Sequence, residues 1–87
     1  MARFFFDVRE GHKFFSDGEG QEFRDIAAAE HEAACAAAEI GRERLPKGDL
    51  RTIIVEVRDE QGQRVATATV SLTMERVDPP PEHSSPS

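Results

Sequence analysis

Alternation of apolar and polar positions marks two regions of this chain, and helical spacing of alanines marks the stretch between them. From Arg3 to Arg9, Phe4, Phe6 and Val8 fall on one side, with Arg3, Phe5, Asp7 and Arg9 on the other. That period of two predicts a half-buried strand. Glu10-Gly11 supplies a turn, His12 to Phe15 a short returning strand, and Ser16 to Gly20 a loop. Asp25 then precedes Ile26-Ala27-Ala28-Ala29, an N-cap followed by strong helix formers. The predicted helix runs to about Arg44, with Arg42 and Arg44 favourably placed in its last turn and Pro46 and Gly48 ending it. At about 100° per residue, Ile26, Ala29, Ala33, Ala37 and Ile40 form one stripe, opposite His31, Glu32, Cys35, Glu39, Arg42 and Glu43.

Alternation resumes at Thr52 to Arg58, with Ile53, Val55 and Val57 on one face and Thr52, Ile54, Glu56 and Arg58 on the other. Asp59-Glu60-Gln61-Gly62 is a turn signal. A last strand from Arg64 to about Met74 places Ala66, Ala68, Val70, Leu72 and Met74 opposite Thr67, Thr69, Ser71 and Thr73. Hairpin, helix, hairpin predicts an α+β fold of two layers (ββαββ), a four-stranded antiparallel sheet with one helix on one face. A right-handed crossover gives the strand order 2-1-3-4. An alanine stripe lets the helix approach the sheet closely, so the large side chains filling that contact must come from the strands.

The folded domain is expected over residues 2–76. Residues 77–87 hold four of the five prolines and few large apolar groups, so this Pro- and Ser-rich tail is expected to be disordered. No apolar run approaches the ~18 residues of a membrane span, and the Phe4-Phe5-Phe6 run is too short for a signal-peptide core. A cytoplasmic location is expected, in keeping with a single cysteine that can form no internal disulfide. The net charge of −6, from 11 Lys and Arg against 17 Asp and Glu, disfavours general binding to a phosphate backbone.

The opening Arg3-Phe4-Phe5-Phe6-Asp7-Val8-Arg9-Glu10-Gly11 resembles a family of short bacterial proteins catalogued only as a domain of unknown function. Its members begin with a similar aromatic-Phe-Asp-Val-Arg strand. The acidic-glycine segment Asp17-Gly18-Glu19-Gly20, the Asp before an Ala- and Glu-rich helix, and the late hairpin Val57 to Glu60 extend the resemblance over about residues 3 to 72. It implies the fold and no activity.

Three groups of residues bear on function. His31, Cys35 and Glu39 lie one helical turn apart on the exposed face, ligand types suited to zinc; no distant further ligand is evident, and a solvated helix face is the simpler reading. The segment Asp17 to Glu22 has neither the alternating oxygen ligands of a calcium loop nor the Gly-Lys-Ser/Thr of a phosphate loop, and reads as a flexible connector. No nucleophile and base are set out for catalysis, so no enzyme and no cofactor are expected.

The open face of the sheet is the third. With Phe4, Phe6, Ile53, Val55 and Val57 under the helix, Phe5, Ile54 and one of Phe14 and Phe15 look away, Phe15 being the choice. Phe5 and Ile54 are expected to form one apolar patch near the sheet centre, rimmed by Arg3, Arg9 and Arg58. Contiguous apolar surface rimmed by charge suits a contact site, by sheet-to-sheet dimerisation or by strand addition at an edge. The expected function is therefore self-association (a homodimer) or protein interaction. The alternative is stacking of single-stranded RNA bases on Phe5.

Overall fold

The computed structural model describes residues 1–78; Pro79 to Ser87, most of the tail expected to be disordered, lie outside the described residues. The elements are β1 (Ala2–Glu10), β2 (Lys13–Phe15), β3 (Gln21–Phe23), α1 (Ile26–Arg44), a 3-10 turn (Leu45–Lys47), β4 (Thr52–Arg58) and β5 (Arg64–Ser71). The fold is α+β, with one helix on an antiparallel sheet that does not close.

Among the described residues the sheet has five strands rather than the four expected. They run β2-β1-β4-β5, with β3 also paired to β1. β3 is the missed element, and register explains it. Phe4 faces Gln21 in β3, and Val8 faces Phe15 in β2. Between those pairs β1 contributes Phe5, Phe6 and Asp7, while the returning chain contributes Ser16 to Gly20. β2 and β3 are thus one return strand interrupted by a two-residue excess, which leaves the ladder as a loop and rejoins it. β5 ends at Ser71, short of Met74, because Leu72 to Asp78 continue without a further ladder.

α1 begins at Asp25, whose carboxylate accepts the Ala28 N–H at 2.9 Å. Its buried stripe is Ala29, Ala33, Ala37 and Gly41. Ile26 and Ile40, expected on the stripe, are exposed and half-buried respectively. The steps of four carry the contact line to Gly41 instead, where an added Cβ would lie 3.0 Å from Val70 Cγ1. A helix presenting only methyl groups and a glycine sits low over β4 and β5. The volume comes from the sheet: Ile53, Val55 and Val57 are fully buried, each stabilising the fold by about 2 kcal/mol. Phe23 packs its ring at 6.2 Å from Phe4 and 5.6 Å from Phe6, closing the core beside the helix start.

Candidate functional site

Strand parity puts Phe5, Asp7 and Arg9 of β1 and Ile54, Glu56 and Arg58 of β4 on the face away from the helix. The register then separates the two apolar residues expected to meet. Phe5 lies opposite Arg58 and Ile54 opposite Arg9, with the Asp7–Glu56 row between them. The single apolar patch expected from Phe5 and Ile54 is therefore not formed. Phe15 is a second correction: it pairs with Val8 and so takes the helix side, whereas Phe14 pairs with Arg9, whose guanidinium lies 4.7 Å from the Phe14 ring centroid. Arg3, the third rim residue, is turned to the β3 end of β1, bonding the Glu19 carbonyl at 2.9 Å and pairing with Glu22 at 3.3 Å.

The centre of this face is ionic. Asp7 is only 4% exposed, and both its oxygens are occupied. Oδ2 accepts from Arg58 Nε at 2.6 Å; Oδ1 accepts from Arg58 Nη2 at 3.2 Å, from the Asp17 N–H at 2.9 Å and from the Ser16 hydroxyl at 3.4 Å. Arg58 also donates to the Asp17 carbonyl at 3.0 Å and covers the Phe5 ring at 5.0 Å. Asp17 completes the loop: its Oδ2 accepts the Phe6 N–H at 3.1 Å, and its Oδ1 accepts the N–H groups of Glu19 and Gly20. Where the return strand leaves the ladder, a side-chain carboxylate takes over the acceptor role of a main-chain carbonyl. The expected flexible connector is thus tied at both ends, an arrangement signalled only by a lone aspartate inside an aromatic strand and by the Asp-Gly-x-Gly turn chemistry after Ser16.

The Arg58 guanidinium holds the Asp7 carboxyl below its ordinary range; burial opposes this, and the Asp17 N–H and Ser16 add to it. For Asp17 burial is the largest influence and pushes upward, as does the Asp7 charge, yet the Gly20, Phe6 and Glu19 N–H groups outweigh them and the net shift is downward. Arg58 is raised correspondingly by its bond to Asp7. Carboxylates held ionised with both oxygens hydrogen-bonded neither give nor take a proton readily near neutral pH, which suits a structural role for the cluster. Glu56, also buried, lies between Arg9 at 3.6 Å and Arg64 at 3.2 Å.

Gly20 makes the loop possible. Its φ is +72°, and a Cβ there would lie 2.8 Å from Phe5 Cε2 and 3.0 Å from Arg3 Cγ. Gly20→Ala is expected to cost about 2 kcal/mol in urea unfolding, through left-handed backbone strain and displacement of the Phe5 ring. Gly18→Ala, which meets nothing within 4 Å, should be nearly neutral. Equal costs at the two positions would remove the argument for Gly20.

On the helix, His31 Nε2 and Cys35 Sγ are 3.6 Å apart, and both residues are exposed. Among the described residues no three His, Cys, Asp or Glu side chains converge on a metal-sized site, so Glu39 does not join them. Nor is any described helix long and apolar enough to cross a membrane.

The outer edge of β5 is the other surface of note. Among the described residues no strand pairs with it. Its eight residues contain no proline and one charge, Arg64, which is held at the first position by Glu56. Edge strands are usually blunted by charge, proline or brevity, and this one is not.

A small antiparallel sheet with a single helix laid along an alanine stripe, its open face closed by ion pairs, is the class of domain these features define. The chain belongs to the family described as a domain of unknown function, DUF6894, whose model matches residues 3–71, from the second residue of β1 to the end of β5. No curated protein and no solved structure matches it.

Proposed function

We propose that this domain is a non-enzymatic protein-interaction module that accepts an additional β-strand along the outer edge of β5. The observation that carries the reading is the nearly uncharged eight-residue edge that no strand pairs among the described residues. Main-chain groups on such an edge supply affinity, and alternate side chains supply selectivity. The open face serves less well as the contact. Its centre is occupied by Asp7, Glu56, Arg58 and Arg9, which already bond one another or the loop, and breaking those bonds would cost any partner heavily. The same geometry weighs against base stacking, since Arg58 already lies over Phe5.

A photo-crosslinking amino acid in place of Thr69, on the open side of β5, is expected to capture a polypeptide in cells, whereas one in place of Glu30, on the exposed side of α1, is expected not to. Equal capture at both sites, or none at Thr69, overturns the reading.

A further inference from the structure

Resting on that strand-addition reading, we infer that the strand received by β5 is the β5 of a second copy, paired antiparallel about a two-fold axis through Ala68. The edge is self-complementary in this register. Residues whose numbers sum to 136 face one another, so even-numbered positions meet even and odd meet odd. Ala66, Ala68 and Val70 pair across from Val57, Val55 and Ile53, which face the helix, and Thr67 and Thr69 lie on the open side. Even-with-even pairing therefore keeps apolar positions on the helix side of the joined sheet, with both helices on that side, and keeps threonines on the other.

Charge fits as well. Arg64 is the one charged residue of β5 and stands at its first position, so the two-fold sets the two copies of it at opposite ends of the seam. No like charges face one another. At the centre Thr67 meets the partner's Thr69, a favourable cross-strand pair.

Apolar residues also lie exposed just beyond β5, at the ends of this seam. Leu72 is 43% exposed and Met74 85%, both in the extended segment after Ser71, and the Leu72 N–H still bonds the Arg51 carbonyl at 3.3 Å. Leu72 continues the even-numbered row on the helix side, whereas the register shift at Val57/Arg58 puts Arg64 beside Glu56 on the open side, so the regular seam runs from Val65 to Ser71 and both residues lie just past its ends. Two eight-residue strands with these flanks form an interface at the small end of specific contacts, so dimerisation should depend visibly on concentration. Homodimers joined by the same patch on each subunit are the commonest assembly of soluble chains.

The test is sedimentation of the purified full chain from micromolar to millimolar concentration, with thermal unfolding as the check that each variant folds. The wild type should approach twice the monomer mass. Thr67→Lys with Thr69→Lys places lysine opposite lysine twice in the seam and should weaken dimerisation about tenfold. Thr67→Lys with Thr69→Glu places lysine opposite glutamate and should restore it. A dimer indifferent to both pairs overturns the seam. A chain that stays at monomer mass throughout also overturns it; capture of a different polypeptide at position 69 would then leave the strand-addition reading standing, whereas no capture there removes both.

Discussion

Asp7→Ala is expected to lower the unfolding free energy by about 3 kcal/mol, a large fraction of the roughly 5–15 kcal/mol that holds a folded domain together. The carboxylate is buried and bonds three separate partners: the Arg58 guanidinium, the Asp17 N–H and the Ser16 hydroxyl. Alanine leaves the arginine without its counter-ion and orphans the loop donors together. Asp17 then loses the geometry in which its own carboxylate accepts from Phe6, so the loop should detach from β1 as a unit. Equilibrium urea denaturation measures the cost, and amide exchange at Phe6 and Gly20 reports the loop. A loss below about 1 kcal/mol would put Asp7 in the class of ordinary surface ion pairs and sink the claim.

The same cluster sets the acid limit of stability. Asp7 and Asp17 both titrate below their ordinary range in the folded chain. A carboxyl with a depressed folded value contributes stability that is fully present above its unfolded value, near 4, and is lost as pH falls through the folded value. Wild-type melting temperature should therefore be nearly level from neutral pH to about 5 and fall below about 4. The difference between wild type and Asp7→Ala isolates Asp7 from the other carboxylates and should shrink over that same window. A difference that stays constant down to pH 2.5 would show that protonation of Asp7 costs the fold nothing.

How far the chain could be read before its structure depended on which residues spoke for themselves. Periods of two and 3.6 placed β1, α1, β4 and β5, and the parity of Phe4, Phe6, Ile53, Val55 and Val57 set which sheet face meets the helix. β3 escaped because Gln21-Glu22-Phe23 is too short to show a period, and because its pairing depends on Asp17 holding a loop open upstream. Parity likewise says which face a residue takes but not how far along the partner strand it sits. Phe5 and Ile54 share the open face, and the register with β4 still puts Arg58 and Arg9 beside them instead of each other. Asp7 was visible as a polar residue on the open side, but its burial follows from Arg58 fifty-one positions away and from a loop whose shape no local pattern specifies. The edge of β5 was readable only as one strand among several, since which strand ends the sheet is a property of the assembled order.

Ala33→Leu carries the second large effect. Ala33 lies at the middle of the buried stripe between Ala29 and Ala37, all three essentially without solvent contact, and Val55 and Val57 of β4 fill the space beneath them in the same core. A leucine there adds three carbons where the surrounding strands are already packed. Either the helix lifts from the sheet, separating Gly41 from Val70, or the valines leave their preferred rotamers. Both routes lead to a cost of about 3 kcal/mol, at the upper end of overpacking effects, because a helix seated on methyl groups has no longer side chain that could yield in compensation. Ala34→Leu, one position round on the exposed side, should change stability by less than about 0.5 kcal/mol. Calorimetric unfolding of the two variants side by side makes the comparison independent of helix propensity, since the same residue enters the same helix in each. Equal melting temperatures would show that α1 stands off the sheet with room to spare, and the close approach inferred from Ala29, Ala33, Ala37 and Gly41 would fall with them.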